Sequence, residues 1–152
     1  MKEREDKKMF AKRETVEPKL NPSVVLRLRE VTGELARDPM TKVFKTEGGG
    51  DCVVRSLLSR KNVGVVDSGI PEGHAFPEHA HADHIVECLM IYQGRAKVEY
   101  KGGKVIEAGP QDVVCFSQGQ LHRIVALVGY GDVRLIGITV PRDEGYPGNA
   151  DE

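Results

Sequence analysis

Gly73-His74-Ala75-Phe76-Pro77-Glu78-His79-Ala80-His81-Ala82-Asp83-His84-Ile85-Val86-Glu87-Cys88-Leu89-Met90-Ile91-Tyr92-Gln93-Gly94 carries four of the chain's five histidines, all within eleven residues. Scattered core or surface histidines would not cluster so tightly. In an extended strand, side chains two apart project to the same face. His79-Ala80-His81 therefore reads as a strand that aims two imidazoles the same way across a small residue. Glu87 follows six residues after His81, in the strand Ile85–Tyr92, where Glu87, Leu89 and Ile91 share a face. A carboxylate in an otherwise apolar strand is expensive unless a cation or hydrogen bonds compensate it. Uncompensated, it would be protonated or costly, and a neutral glutamine would serve as well or better. The fifth histidine stands in Leu121-His122-Arg123-Ile124-Val125-Ala126, where His122, Ile124 and Ala126 share a face. His79, His81, Glu87 and His122 together form a ligand set suited to Fe(II), Mn, Ni, Co, Cu or Zn. The competing reading is a hydrogen-bonded polar cluster without metal.

The sequence around this run has the same character. Past Gly50 it falls into short β-rich runs punctuated by Gly, Pro and Asp: Cys52–Leu58, Asn62–Val66, Ile85–Tyr92, Ala96–Tyr100, Lys104–Glu107, Asp112–Phe116, His122–Val128 and Asp132–Val140. Lys101-Gly102-Gly103-Lys104 predicts a two-residue hairpin turn, because glycine accepts the positive φ of a primed turn. Gly129-Tyr130-Gly131-Asp132 predicts another turn. Short strands with no convincing helices between them imply an antiparallel sandwich or barrel rather than a βαβ fold. Before Gly50, residues 21–37 read as a helix or strand segment. Asn21 can cap, Pro22 suits a first helical position, and Val24, Leu28, Val31 and Leu35 recur at helical intervals. Thr46-Glu47-Gly48-Gly49-Gly50 is a loop; it follows no strand and opens no helix, so it does not read as a phosphate-binding loop. The organisation is a charged arm over 1–20, an N-terminal segment and Gly-rich loop over 21–50, a barrel over 51–141 and a C-terminal tail over 142–152.

Composition narrows the function. The chain has 152 residues, enough for one domain with its own core. Lys and Arg number 22 against 23 Asp and Glu, a balance that argues against a dedicated nucleic-acid binder and a polybasic membrane surface. No run approaches the ~18 apolar residues of a membrane span. The opening Met1-Lys2-Glu3-Arg4-Glu5-Asp6-Lys7-Lys8 has no apolar stretch of a secretory signal. Cys52, Cys88 and Cys115 are an odd number with no CxxC, so a reducing cytoplasm is expected. Their apolar neighbours mark them as small core residues.

Gly73-x5-His79-x-His81-x5-Glu87-x6-Gly94 resembles the first motif of the cupin superfamily, with a loop one residue longer than usual between the second His and the Glu. Asp112-Val113-Val114-Cys115-Phe116-Ser117-Gln118-Gly119-Gln120-Leu121-His122 resembles the second. There the family often has Gly where Gln111 stands and Pro where Ser117 stands. The resemblance covers about residues 52–140. It implies an all-β double-stranded β-helix, or jelly-roll barrel, here with an N-terminal extension, and a divalent transition metal on His79, His81, Glu87 and His122. It also implies a homodimer. It leaves the reaction open, because cupins include dioxygenases, isomerases, lyases, storage proteins and ligand sensors.

The expectation is a metal-dependent enzyme on a small polar metabolite, with oxygen insertion the leading reaction; the alternative is a non-catalytic small-molecule sensor. An enzyme needs a proton-transfer group beside the open metal positions, and none beyond Glu87 and the histidines is evident. His84, in the longer loop, could be a substitute ligand, a donor orienting Glu87 or an exposed residue, and His74 a loop or pocket-rim residue. Tyr92, Gln120 and Arg123 lie near the motifs, with Arg123 pointing away from His122 toward a surface ion pair. Ile85–Tyr92 is apolar on both faces apart from Glu87, so Val86, Cys88, Met90 and Tyr92 require a cover, either residues 21–37 or a second subunit.

Overall fold

The structure is a computed structural model that describes residues 40–46 and 50–147. The predicted arm and the 21–37 segment lie outside the described residues. Ten strands are present among those described: β1 Thr41–Lys45, β2 Asp51–Arg60, β3 Val63–Ile70, β4 Ala75–His79, β5 Val86–Gln93, β6 Ala96–Tyr100, β7 Val105–Ala108, β8 Val113–Phe116, β9 His122–Ala126 and β10 Val133–Val140. They form a six-stranded sheet in the order β1-β2-β3-β10-β5-β8 and a four-stranded sheet in the order β4-β9-β6-β7. All the pairings are antiparallel. This is the all-β jelly roll the sequence predicts.

Period-two patterning explains why these residues form strands. In β6 and β9 every second side chain is buried, and in β10 Val133, Leu135, Gly137 and Thr139 face inward. The inward faces of the two sheets make one core: Leu89, Ile91 and Phe116 from the larger, Val98, Tyr100 and Ile124 from the smaller. Phe116 and Tyr100 meet across it at 5.6 Å between ring centroids. Hydrophobic burial of this kind is the main favourable contribution to the fold.

One strand, β1, was not expected, and β4 lies earlier in the chain than the strand read at His79-Ala80-His81. β4 contains Pro77, which removes a ladder donor and reads as a strand breaker. The structure accommodates it on the edge of the smaller sheet, with the register shifted between Phe76 and His79. β1 is a five-residue edge strand with two lysines. Strand β4 also ends at His79, so His81 reaches the site from the following loop rather than from the same strand face. The predicted β6–β7 hairpin forms, and Gly102 and Gly103 both have positive φ. Its backbone bonds run from Gly103 N to Tyr100 O and from Tyr100 N to Lys104 O, so the loop holds three residues, not two.

The segment after β10 passes a cis Val140–Pro141 bond and turns back over one end of the barrel. Asp143, Tyr146 and Pro147 line the interior cavity there, and the Ser56 hydroxyl donates to the Pro147 carbonyl. What reads as the start of a tail is part of the cavity wall.

Candidate metal centre

His79 on β4 and His122 on β9 are direct cross-strand partners. Register alone therefore brings their rings together, 4.4 Å between centroids. Glu87 projects inward from β5 in the larger sheet. His81, from the loop after β4, closes the group, its ring 5.1 Å from that of His79. One candidate ligand atom from each of His79, His81, Glu87 and His122 lies within 4.8 Å of every other. All four sequence-predicted site residues thus converge.

Each imidazole is oriented through Nδ1. His79 donates to the Pro77 carbonyl at 2.8 Å, and His122 to the Gln120 carbonyl at 2.8 Å. His81 Nδ1 meets Asp143 Oδ2 at 2.5 Å. With Nδ1 so engaged, Nε2 is the nitrogen left for an ion, an arrangement usual around metal-binding histidines. Phe116 stacks on His122, with centroids 3.7 Å apart and planes at 12°.

Glu87 is only 5% exposed. Its Oε2 lies 2.6 Å from His81 Nε2 and 3.3 Å from His122 Nε2, and its Oε1 accepts from the Tyr146 hydroxyl at 3.0 Å. Burial alone would raise its pKa, but contacts with His122 and His81 outweigh that and hold it at about 2. Burial opposes charge on His81 as well. Hydrogen bonds with Asp143 and Glu87 prevail and raise it to about 9. A proton on His81 is therefore held between two carboxylates. His79 is shifted down, chiefly by burial, which favours the neutral form that binds metals.

His122 Nε2 tests whether these residues fit an ion. It is fully buried and has no aligned hydrogen-bond partner among the described residues, despite its closeness to Glu87. Buried polar atoms are nearly always satisfied. An ion shared with His79, His81 and Glu87 would satisfy this one, and three imidazole nitrogens with one carboxylate suit a divalent transition metal. The cluster could hold such an ion, and nothing in its donor set selects one metal.

Asp143 and Tyr146 escaped the sequence reading, because no spacing links Arg142-Asp143-Glu144-Gly145-Tyr146 to either histidine motif. The Tyr146 hydroxyl is pushed far above its ordinary range, first by burial and then by the charge of Glu87, and so keeps its proton. Its hydrogen is given to Glu87 Oε1, so it positions that carboxylate. His84 is exposed in the turn before β5 and stands outside the cluster. The Thr46 hydroxyl donates to the Gly50 carbonyl, so His74 Nδ1 donates to Thr46 at 2.8 Å and fastens that loop. Gln120 orients His122 and also accepts from the Ser117 amide. Tyr92 bonds Asp67 on the outer face, and Arg123 pairs with Glu99, the predicted surface ion pair. Of the three cysteines only Cys52 is a core residue; Cys88 is half-buried and Cys115 exposed, because both point outward from their strands.

A family model for the cupin domain matches residues 67–139. No curated protein matches the chain in sequence. Among solved structures, it is similar to a cupin domain of Cnp3 from Schizosaccharomyces pombe, at 18% identity and TM-score 0.55, covering 60% of this chain and 65% of that one. This chain thus spans just under two thirds of that structure. A predicted oxalate decarboxylase from Thermotoga maritima aligns at 21% identity and TM-score 0.57, over 78% of this chain and 100% of that one. An uncharacterised protein with a double-stranded β-helix domain from Klebsiella pneumoniae aligns at 17% identity and TM-score 0.57, over 82% and 95%. At such identities the likeness is one of fold. The two-sheet jelly roll with a His/Glu cluster between its sheets defines a class, and the domain match agrees with it. The chain carries a cupin domain over residues 67–139, in a fold shared with cupin proteins.

Proposed function

We propose that this protein is a metal-dependent enzyme acting on a small metabolite, with His79, His81, Glu87 and His122 holding one divalent transition ion. The observation that carries the reading is the fully buried His122 Nε2, aimed at the other three ligands with no aligned hydrogen-bond partner of its own among the described residues. When bound, the ion would supply Lewis-acid polarisation of an oxygen donor or a site for dioxygen, with oxygen insertion the leading reaction. Four protein ligands leave two positions open on an octahedral ion. The chain's own groups do the rest. Asp143 holds His81 in place, and Tyr146 holds Glu87 by donating to its Oε1. A non-catalytic small-molecule sensor is the second reading.

Around this site the proposal is a single barrel over 51–141 acting as a homodimer in the cytoplasm, with no nucleic-acid or membrane partner. No helix among the described residues is long and apolar enough to cross a membrane. The dimer reading rests on the outer face of β5, where Val86, Met90 and Tyr92 are exposed.

Elemental analysis of protein purified without chelator tests the metal. We expect close to one ion per chain, and a His122→Ala variant that folds but retains less than about a tenth of it. A folded wild-type protein that takes up only a trace when metal is supplied would overturn the reading. Turnover of a bound metabolite by the loaded protein separates enzyme from sensor.

A further inference from the structure

The cavity beside the cluster has a volume of about 250 Å³. That is the room of roughly eight waters at ~30 Å³ each, or a ligand of about that many non-hydrogen atoms. Its wall is mainly apolar, with Phe44, Val54, Val66, Leu89, Ile124 and Leu135 contributing from both sheets. Of the ionised groups in it, His81, Glu87 and Asp143 are engaged with one another, and Lys42 is exposed on β1 with its Nζ over the Phe44 ring, 4.8 Å from the centroid. A wholly polar metabolite, as the sequence suggests, does not suit such a wall.

Ser68 stands apart from that lining. It faces the cavity from β3 and is 6% exposed. Val54 on β2 and Leu135 on β10 are its cross-strand partners, and Val66 and Ile70 flank it on the same face. All four are buried. No described residue hydrogen-bonds its hydroxyl, which opens on the cavity and takes its partner from there. Leu135 stands opposite Ser68, while Thr139 stands opposite Glu87. The two rows are four residues of β10 apart, ~13 Å along the strand. The cavity thus has a cluster of candidate metal ligands near one end, an apolar middle, and toward the other the Ser68 hydroxyl, with the exposed Lys42 beyond Val54 in the same row.

We infer that the cavity binds a short-chain carboxylate with a hydrocarbon body and a hydroxyl or carbonyl at its far end. The far-end group pairs with Ser68. The carboxylate lies at the cluster, where a divalent ion with one carboxylate ligand leaves net positive charge. This head-group assignment rests on the metal reading above; the Ser68 assignment does not.

Three probes of similar length separate the possibilities: delta-hydroxyvalerate, caproate, in which a methyl replaces the hydroxyl, and the dicarboxylate glutarate. Calorimetric titration into zinc-loaded protein should show delta-hydroxyvalerate binding at least about tenfold more tightly than caproate, and glutarate weakest. In Ser68→Ala the preference should vanish or reverse, with the Tm unchanged or higher, since an unpartnered hydroxyl is lost. Equal binding of the first two probes by wild type, a preference that survives in Ser68→Ala, tightest binding of glutarate, or no binding of any probe at millimolar concentration overturns the inference. So does a Tm that falls in Ser68→Ala, which would show that the hydroxyl already has a partner. Zinc content is measured first, and the titrations are repeated on metal-free protein. Failure to load zinc counts against the metal reading, while loss of the Ser68 preference counts against this one.

Discussion

Glu87 stays ionised although Val86 and Cys88 flank it in the chain and Leu89 follows it on the same face. On sequence grounds a neutral glutamine there should cost nothing without metal. The geometry reverses that expectation, because Glu87 holds His81 through Oε2 and accepts from Tyr146 through Oε1. Removing the charge leaves a buried, proton-bearing His81 with one carboxylate instead of two. Glu87→Gln should therefore weaken metal binding about 10- to 100-fold and also destabilise the metal-free protein by about 1–3 kcal/mol. Calorimetry with and without chelator reads both effects; unchanged metal affinity would remove Glu87 from the ligand set. Asp143→Asn keeps the shape of the group that positions His81 but not its charge. It should cost metal affinity about 10-fold or more by the same reasoning, read by competition with a chromophoric chelator. Gln111 is a different kind of residue-scale case. It takes φ +76°, in the left-handed region that favours glycine. Left-handed backbone is costly for a residue with a Cβ, so Gln111→Gly should be neutral or stabilising by up to ~1 kcal/mol in urea denaturation.

At the level of elements, β10 carries much of the site's shape. Gly137 faces inward between Leu135 and Thr139, and an added Cβ would sit 3.0 Å from a Val66 methyl and 3.3 Å from one of Leu89. Gly137→Ala should therefore destabilise the barrel by about 1–3 kcal/mol through overpacking, measured as a lower urea midpoint. A midpoint equal to wild type would mean that Val66 and Leu89 yield freely. The sequence made β5, β6, β9 and β10 legible because their apolar residues alternate or run unbroken between glycines. It misplaced β4, reading a strand over His79–His81 instead of Ala75–His79, because Pro77 breaks the pattern and only an edge position with a shifted register admits it. It showed His79, His81, Glu87 and His122 through motif spacing. Asp143 and Tyr146 were invisible for a physical reason: they reach Glu87 and His81 through chain reversal after β10, a tertiary event that no local periodicity records. Gly94 was readable as a motif glycine, and the structure supplies the cause. Its φ is +76°, and a Cβ would stand 2.5 Å from the Asp132 carbonyl oxygen.

Across the whole molecule, the least balanced surface is the outer face of the larger sheet. Register places Val140 beside Val86, Ile138 beside Cys88, Cys88 beside Cys115 and Met90 beside Val113. These side chains form one apolar patch across β10, β5 and β8. Val86, Met90, Val113, Ile138 and Val140 are each at least 40% exposed. The patch is bounded on the β3 side by a polar corner, where Asp67 accepts from Tyr92 and pairs with Arg134 at 2.6 Å. Contiguous apolar patches with polar borders mark association surfaces, and a second copy of this chain offers a matching face through a two-fold axis. Sedimentation velocity at micromolar concentration should therefore show a dimer. Val113→Glu puts a charge on the exposed edge strand β8, about as far from the inward-facing ligands as the sheet is thick. It should give a folded monomer with wild-type metal content. Deleting residues 1–19 tests whether the arm takes part: association weakens if it crosses to the neighbour and is unchanged if it is a free tail. A wild-type monomer at micromolar concentration, or a Val113→Glu protein that remains dimeric, would exclude this face as the interface.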